Sequence, residues 1–309
     1  MTKVFIDGSA GTTGLRIGQR LAERSDLQLL TIPEALRKDD SARADYLNQA
    51  DVAFLCLPDA AAVEAAEMVK NPNTVVIDTS TAHRVSDGWV YGLQELTGQR
   101  DKIRKSKRIA NPGCHASGFI ALVAPLVEKG ILSKNAHLSC FSLTGFSGGG
   151  KKMIADYEVR PEELAAPRLY GLGQNHKHLP EMRKLCGLEQ LPIFCPIVSS
   201  YYSGMQVMVP VFRSELAGGV QDIQAVYRDY YKGRLVRFVS GGDEQGFLNA
   251  GGRAGLDDME ISVFGNEDRI ILVSRFDNLG KGASGAAIQN MNLVLGLPEE
   301  TGLNLEERK

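Results

Sequence analysis

The sequence predicts an α/β domain on a parallel sheet, followed by an α+β domain on a mixed sheet. Three observations predict this: short apolar runs alternate with helical segments up to about residue 80, a glycine-rich turn follows the first run, and strand-like runs dominate after about residue 136. A chain of 309 residues is long enough for two domains. We place the first at residues 1–114, completed by a C-terminal helix at 283–309, and the second at 115–282.

The first apolar run spans residues 3–7 and ends at Gly8, and a helical segment at 13–24 follows it. The same alternation continues in strand-like runs at 27–32, 51–58 and 74–80 and in an alanine-rich helical segment at 59–70. Short apolar strands that alternate with helices are typical of βαβ units on a parallel sheet.

In the second half, the expected strands follow one another with few helical segments between them. They occupy residues 137–145, 191–200, 201–212, 235–240 and 269–278. We interpret the glycine-rich stretches 148–152 and 240–246 as loops. A last helix within 281–298, which we expect to pack on the first domain, ends at Gly296 and Pro298 and has on one face Ile288, Met291, Val294 and Leu295.

Charge and composition exclude several classes of partner. Lys and Arg number 35 against 37 Asp and Glu, so no basic surface predicts binding to nucleic acid or to an anionic membrane. No long apolar run predicts a membrane span, and no secretory signal is visible, so we expect the cytoplasm. The five cysteines show no paired spacing, which favours thiols over disulfides and predicts no metal site.

The turn after the first strand is rich in glycine, with GxxGxxG spacing that departs from the GxGxxG of dinucleotide-binding loops of the Rossmann type. Its position, at the first strand-to-helix turn of a βαβ unit, favours a dinucleotide. Its glycines would let backbone amides approach a pyrophosphate at the start of the next helix. We therefore predict cofactor contacts from Gly8, Ser9, Ala10, Gly11, Thr12, Thr13 and Gly14. The alternative is a structural turn that binds nothing.

The second strand leads to Glu34 and then to two cations, Arg37 and Lys38. Either cation could neutralise a 2′-phosphate, which favours NADP(H) over NAD and makes Arg37 a candidate cofactor ligand. The alternative is that both cations are solvated loop residues.

Cys114 directly follows Asn111-Pro112-Gly113 and directly precedes an apolar helical segment. Pro-Gly cannot easily continue a helix, so the thiol should lie near a helix N-terminus. There the helix dipole lowers the thiol pKa, and backbone amides can bind an oxyanion. We expect Pro125 to kink or divide this helix. A buried, inert cysteine is the alternative.

A nucleophilic thiol needs a proton-transfer partner, and the chain has five histidines. His176 and His178 alternate in a polar segment, so they would lie on one side of an extended chain, and Glu181 follows them as a residue that could orient one ring. His115 is adjacent to the thiol in sequence and should project differently. Structural histidines are the alternative.

Five motifs together resemble the N-acetyl-γ-glutamyl-phosphate reductase family of arginine biosynthesis. In chain order they are GSAGTTG, NPGCHAS, TGFSGGGKK, HKHLPE and DNLGKGASGAAIQNMNLVLGLP. The Thr-Thr pair after Gly11, and Gln94, resemble the compact type 2 subfamily. The resemblance implies a glyceraldehyde-phosphate-dehydrogenase-like architecture, a homodimer or homotetramer, and NADPH-dependent reduction of an acyl phosphate to an aldehyde through a cysteine thioester.

The resemblance also implies roles for individual residues. Cys114 would be the nucleophile and His176 the acid/base. Further cofactor contacts would come from Asn278, Lys281 and Gly282, and the substrate would contact Arg84, Ser147, Gly148, His178 and Glu181. His83 stands where a phenylalanine is common in the family.

Three other functions fit parts of the sequence. An aspartate-semialdehyde dehydrogenase shares the fold and the cysteine chemistry, but HKHLPE argues against it. A non-enzymatic NADP-binding redox sensor would not use a thiol at a helix start. A cysteine–histidine hydrolase would leave the glycine-rich turn without a role.

Overall fold

A computed structural model describes residues 1–306 of the chain, which form two compact units. The first unit contains Met1–Pro112 and Ala283–Leu303, and the second contains Gly113–Gly282 and the described residues after Leu303. The sequence-based boundary after residue 114 differs by two residues, because Cys114 begins a helix that packs within the second unit. The C-terminal helix predicted at 283–309 ends at Val294 in the structure, so the prediction is wrong for residues 295–306, and residues 307–309 lie outside the described residues.

The first unit is built on a parallel six-stranded sheet with the order β2-β1-β3-β4-β6-β5. Its strands are β1 (Thr2–Asp7), β2 (Leu27–Leu30), β3 (Val52–Leu55), β4 (Val75–Asp78), β5 (Val90–Tyr91) and β6 (Arg108–Ala110). All residues of β3 and β4 are buried, as expected for strands covered on both faces. The predicted parallel α/β sheet is confirmed.

The second unit is built on a mixed seven-stranded sheet with the order β11-β12-β13-β10-β7-β9-β8. Its strands are β7 (Ser139–Gly145), β8 (Arg168–Leu169), β9 (Ile193–Ser199), β10 (Met205–Phe212), β11 (Val236–Phe238), β12 (Met259–Gly265) and β13 (Arg269–Phe276). The β7–β9 and β11–β12 pairs are parallel and the other pairs are antiparallel, which confirms the predicted mixed sheet.

Helices flank both sheets. In chain order they are α1 (Thr12–Ala22), α2 (Asp40–Gln49), α3 (Asp59–Met68), α4 (Gln99–Lys105), α5 (Cys114–Glu128), α6 (Gly150–Val159), α7 (Leu179–Cys186), α8 (Val220–Tyr230) and α9 (Gly285–Val294). Within residues 1–306, none of the helices has both the length and the apolar composition that crossing a lipid bilayer requires.

The C-terminal helix α9 packs inside the first unit. Its residues from Gly285 to Leu293 are all buried, and Ile288 and Met291 lie in one apolar cluster with Val4 of β1 and Ile17 of α1. Val294 packs against the same cluster. The sheet of the first unit therefore has its core completed by a segment from the far end of the chain.

Two sequence predictions about the second unit are wrong. Helices α6, α7 and α8 lie between strands where few helices were expected. The stretch 148–152 is also no loop, because α6 begins at Gly150. Tyr157 of α6 stacks on Phe146, with ring centroids 4.5 Å apart, and this packing outweighs the low helix propensity of glycine.

Helix α5 is continuous through Pro125, so the proline does not divide it. Proline has no N–H, and the carbonyl of Ala121 therefore loses its usual helical donor. The hydroxyl of Tyr231 donates to that carbonyl at 2.6 Å, and the hydroxyl of Tyr227 donates to the adjacent carbonyl of Leu122. These two tyrosines stabilise the helix where the proline weakens it.

One face of the second sheet carries α5, which packs on β10 and β13, and α8, which packs on β12. On the opposite face, strand residues point outward in register, and four large apolar side chains there are 40–63% exposed: Phe141, Ile193, Phe212 and Ile271. We call these four residues and their strand neighbours the open sheet face. A contiguous apolar surface on a folded domain is typical of an interaction site.

Candidate active site

Cys114 is the first residue of α5, and Gly113 is its N-cap. The backbone amide of Gly113 donates to the carboxylate Oε2 of Glu181 at 3.1 Å, and Glu181 is buried. The Cys114 side chain itself is partly exposed. The N-terminus of a helix favours negative charge, so the fold places this sulfur where a thiolate is stabilised.

The side chains around the sulfur come from three parts of the second unit. A ring nitrogen of His115 and a ring nitrogen of His178 both lie within 4.8 Å of Cys114 Sγ. Gly282 lies against the β-carbon of Cys114, because a Cβ built on Gly282 would be only 2.9 Å from it. Two of the predicted residues, Gly282 and His178, therefore lie beside the thiol. A third, Glu181, binds the backbone amide of Gly113 next to it.

His115 is buried, and both of its ring nitrogens are hydrogen-bonded. Nδ1 lies 2.6 Å from Ser142 Oγ, and Nε2 lies 2.7 Å from the Tyr170 hydroxyl. Burial, together with the charge of nearby His176, lowers the pKa of His115 to about 3. His115 is therefore neutral at working pH and cannot carry a proton to or from the thiol.

The two histidines of the HKH segment pack against each other, with ring centroids 4.7 Å apart. They do not alternate along an extended chain as expected, because His178 is the N-cap of α7 and has helical backbone angles. The backbone amide of His178 donates to His176 Nδ1 at 3.2 Å. This bond leaves the exchangeable proton of a neutral His176 on Nε2. His176 is partly exposed, whereas His178 is buried.

Cys114, His115 and His178 have the mutual spacing of a metal-binding group. His115, however, uses both nitrogens in hydrogen bonds within the described structure. The two remaining ligands are fewer than the three protein ligands of a catalytic zinc site. The donor set therefore fits a thiol with imidazole neighbours better than a metal centre.

The predicted residues Ser147, Gly148 and Asn278 lie together in the second unit. Asn278 Nδ2 donates to Ser147 Oγ at 3.0 Å, and its Oδ1 accepts from the amide of Gly204 at 2.9 Å. A Cβ on Gly148 would lie 3.5 Å from Asn278 Nδ2. The side-chain amide of Asn278, which the resemblance assigns to cofactor binding, thus supports the Ser147–Gly148 turn. Lys281, another predicted cofactor contact, is buried at 1% exposure.

Arg84, a predicted substrate contact, is buried in the first unit. Its Nε donates to the carbonyl of Asn111 at 2.9 Å, and its Nη2 donates to the carbonyl of Thr79 at 3.1 Å. The neighbouring His83 bonds to Asp78 at 2.7 Å and stacks on Trp89. Sequence reasoning missed these partners, because a motif does not show which carbonyls a folded loop brings to a guanidinium.

The glycine-rich turn is tight, and its backbone atoms approach one another closely. Gly8 has φ +86°, and a Cβ on Gly14 would lie 2.5 Å from the carbonyl oxygen of Gly8. Helix α1 begins at Thr12, just after Gly11, and Thr13 lies in its first turn. The buried Thr12 Oγ1 has no hydrogen-bond partner within the described residues.

A cavity of about 300 Å³ adjoins this turn in the first unit. Gly8, Ser9 and Ala10 line this cavity, and Arg37 and Lys38 line it as well. Arg37 pairs with Glu34 at 3.0 Å, and both side chains are solvent-exposed. The predicted phosphate-binding turn and the predicted cations therefore share one cavity.

Arg43 also lines this cavity and was missed from the sequence. It forms a buried ion pair with Asp7 at 2.9 Å. The only local signal was Asp7, a charged residue at the end of an otherwise apolar strand, directly before Gly8.

Two family models match the chain. One, described as "Semialdehyde dehydrogenase, NAD binding domain", matches residues 12–106, and the other, described as "Semialdehyde dehydrogenase, dimerisation domain", matches residues 114–278. Proteins named N-acetyl-gamma-glutamyl-phosphate reductase from Brucella suis and Brucella ovis are each 49% identical to the chain over 306 residues. Each alignment covers 95% of this chain and 99% of the relative.

The chain belongs to the N-acetyl-γ-glutamyl-phosphate reductase family. This confirms the resemblance drawn from the five motifs.

Solved structures of more distant proteins share the fold of this N-acetyl-γ-glutamyl-phosphate reductase family member. Aspartate semialdehyde dehydrogenase II from Vibrio cholerae, complexed with ASA, aligns with a TM-score of 0.72 at 16% identity and covers 96% of this chain and 98% of its own. Aspartate semialdehyde dehydrogenase with NADP from Candida albicans aligns with a TM-score of 0.67 at 15% identity, with 96% and 98% covered. At such low identity, these alignments show a shared architecture and do not identify the substrate of this chain.

The glycine-rich turn of this family member gives a matched pair of variants. Gly14→Ala should weaken NADPH binding at least about tenfold, because the added Cβ collides with the Gly8 carbonyl and distorts the turn. Gly18→Ala lies in the same helix, where the nearest atom to a Cβ is 3.6 Å away, and should bind NADPH like the wild type. Titration of NADPH fluorescence measures both. Equal affinity of the two variants would contradict the pyrophosphate assignment.

Proposed function

We propose that this chain catalyses the NADPH-dependent reduction of N-acetyl-γ-glutamyl phosphate to N-acetylglutamate semialdehyde, with release of phosphate, as a step of arginine biosynthesis. The observation that carries the proposal is the 49% identity to reductases of that name over 95% of the chain. The site supports it, because a partly exposed thiol at a helix start with imidazoles beside it is suited to covalent acyl transfer.

Cys114 is the proposed nucleophile. Its thiolate attacks the acyl carbon, the bond between that carbon and the phosphate oxygen breaks, and a thioester forms as phosphate leaves. The positive end of α5 stabilises the oxyanion of the tetrahedral intermediate. Bound NADPH would supply the hydride that reduces the thioester carbon.

His176 is the proposed acid/base. Both nitrogens of the neutral His176 ring are occupied, because Nε2 carries the proton and Nδ1 accepts from the His178 amide, so the Cys114 thiol releases its proton to solvent before attack. His176, once protonated from solvent, gives a proton to the sulfur as the semialdehyde leaves. Its partial exposure allows proton exchange with solvent, and its bond from the His178 amide fixes which nitrogen holds the proton. His178, with a ring nitrogen within 4.8 Å of the sulfur, contacts the thiol or the bound acyl group.

NADPH is the proposed cofactor, and the first unit would hold it. The turn from Gly8 to Gly14 would bind the pyrophosphate, and Thr12 Oγ1 would donate to it. Arg37 and Lys38, in the same cavity, would bind the 2′-phosphate that distinguishes NADP(H) from NAD(H). Arg43 is neutralised by Asp7, so it would shape the cavity without adding free charge.

Ser147 and Gly148 are the proposed contacts for the substrate phosphate. Asn278 holds this turn in place, and hydroxyl and backbone amide groups are common phosphate ligands. Arg84 already donates to two backbone carbonyls. We therefore propose that Arg84 holds the backbone of Asn111, three residues before Cys114, in position. The motif implies instead that Arg84 contacts the substrate directly.

A second copy of the chain is the proposed occupant of the open sheet face. Phe141, Ile193, Phe212 and Ile271 lie on it, all within the residues that match the dimerisation-domain family model. The charged side chains Arg275 and Glu260 of the same sheet pair with each other at 3.1 Å, so they need no partner protein to neutralise them. A homodimer is the simplest assembly that covers this face.

The cytoplasm is the proposed compartment. The proposed chemistry needs Cys114 as a reduced thiol, and the reducing cytoplasm preserves thiols. Within the described structure, the cysteines form no disulfide.

Cys114→Ala should abolish phosphate-dependent reduction of NADP⁺ by N-acetylglutamate semialdehyde, with a loss of more than about 10³-fold, because no thioester can form. NADPH binding should persist, since the turn that binds it lies in the first unit. Absorbance at 340 nm measures turnover, and fluorescence titration measures binding. Unchanged turnover would exclude the thioester mechanism, whereas absence of turnover in the wild type as well would leave a non-enzymatic NADP sensor as the better account.

His176→Asn should reduce turnover by about 10²-fold to 10⁴-fold, the range expected for the loss of one general acid/base. His178→Asn is the matched control within the same motif and should cost less. Steady-state rates at fixed pH compare the two. A larger loss of turnover in His178→Asn would mean that His178, and not His176, is the acid/base.

Phe141→Glu should dissociate the homodimer, because a charge at the centre of a buried apolar interface has no partner. Val63→Glu is the control, since Val63 has the same 40% exposure as Phe141 but lies on α3 of the first unit. Light scattering after gel filtration gives the mass of each variant. A dimeric Phe141→Glu variant would exclude the open sheet face as the interface.

A further inference from the structure

Arg43 is the buried cation of the cavity beside the glycine-rich turn. Three cations line this cavity: Arg37 and Lys38 are exposed, whereas Arg43 is only 8% exposed. Arg43 lies in the first turn of α2, and its ion-pair partner Asp7 is the last residue of β1, directly before Gly8. A buried charge is costly unless it is paired, so the surroundings of this guanidinium decide what it can bind.

Two carboxylates hold the guanidinium of Arg43 in one orientation. Nε and Nη2 donate to Asp7 Oδ2 at 3.2 Å and 2.9 Å, and Nη1 donates to Asp40 Oδ1 at 2.8 Å. Contacts on two sides of a planar group leave it little freedom to rotate. Asp7 and Asp40 therefore fix the directions in which the other N–H groups of Arg43 point.

Two N–H groups of Arg43 have no acceptor among residues 1–306. A guanidinium carries five N–H groups, one on Nε and two on each terminal nitrogen. Asp7 accepts from Nε and once from Nη2, and Asp40 accepts once from Nη1. One N–H of Nη1 and one of Nη2 therefore remain, on a side chain that is 10% exposed and lines a cavity. A buried donor without an acceptor is costly, which favours a ligand that supplies acceptors there.

The charge around Arg43 decides the kind of acceptor. Asp7 and Asp40 both carry negative charge against the guanidinium, so a phosphate bound to Arg43 would be repelled by both carboxylates. The apolar side chains of Ile32 and Leu57 line the same cavity. Uncharged acceptors on a largely apolar group fit these surroundings better than an anion does.

We propose that Arg43 donates hydrogen bonds from Nη1 and Nη2 to the adenosine of the bound cofactor, with Asp7 as the residue that positions it. The ring nitrogens of adenine and the oxygens of ribose are uncharged acceptors. Adenosine is common to NADPH and NADH, so Arg43 contributes affinity for both and does not discriminate between them. The proposal deepens the proposed function and rests on the cofactor site that it assigns.

Arg37 and Lys38 then supply the preference for the 2′-phosphate. Arg37 pairs with Glu34 at 3.0 Å, but both side chains are exposed, and an exposed ion pair is weak. Arg37 can therefore exchange Glu34 for a phosphate at little cost. Affinity for adenosine and specificity for NADPH are thus carried by different cations of one cavity.

The two roles are separated by two fragments of the cofactor, ADP-ribose and 2′-phospho-ADP-ribose, titrated into the full-length protein in a calorimeter. Arg43→Met should lower the affinity for both fragments about tenfold, as expected for two lost hydrogen bonds, and leave the ratio of the two affinities unchanged. Arg37→Met should lower the affinity for 2′-phospho-ADP-ribose and thereby lower this ratio. Neither fragment requires the acyl substrate, so a failure of the proposed reaction and a failure of this contact are distinguishable.

A double variant separates the lost donors from the charge that Arg43→Met leaves behind. In the single variant, the buried carboxylate of Asp7 has lost its partner beside the glycine-rich turn, where it would repel a pyrophosphate. Asp7→Asn combined with Arg43→Met removes both charges, and it should still bind both fragments about tenfold more weakly than the wild type. Thermal unfolding shows whether each variant is folded.

Arg100→Met is the matched control. Arg100 pairs with Glu299 at 2.6 Å in the same unit and lies outside the described lining of the cavity, so this variant should bind both fragments like the wild type. The contact is overturned by wild-type affinity for ADP-ribose in the double variant, or by a loss confined to 2′-phospho-ADP-ribose. An equal loss in Arg100→Met, or a wild type that does not bind ADP-ribose, also overturns it.

Discussion

The hydrogen bond from the Gly113 amide to the Glu181 carboxylate joins the start of α5 to the first turn of α7. Cys114 follows Gly113 directly, and His178 is the N-cap of α7. One buried bond therefore sets the spacing between the helix that carries the thiol and the segment that carries both candidate imidazoles. Glu181 acts by position: it contacts the backbone beside the sulfur, and its burial keeps water from competing for the amide.

Helix α5 can hold a reactive side chain precisely in place because it is buried from His115 to Leu126. Gly118 lets it approach β10 closely, since a Cβ there would lie 2.5 Å from Val207 Cγ2. Tyr227 and Tyr231 bind the carbonyls near Pro125. A nucleophile on a rigid, packed element loses little entropy when it reaches the geometry of attack.

The sequence predicted best what depends on local chemistry. Strand and helix alternation showed the parallel sheet, and Asn-Pro-Gly showed that α5 begins near Cys114. It could not show features made by tertiary contacts. Strand β12 was missed because its Glu260 is buried only through pairing with arginines from other segments. The helix at Gly150 was missed because an aromatic stack on Phe146 supports it. The hydroxyls that fix His115 lie 27 and 55 residues away in sequence.

The histidines of this site have different environments. His115 is neutral and bonded at both nitrogens, whereas His176 is partly exposed and accepts one backbone bond.

All of the proposed chemistry requires that the acyl group is carried by Cys114. Mass spectrometry of the protein after acid quenching, following brief mixing with freshly prepared N-acetyl-γ-glutamyl phosphate without NADPH, measures this directly. The account predicts an N-acetylglutamyl adduct on the peptide that contains Cys114, and an enzyme that turns over without acylation of that cysteine would contradict it.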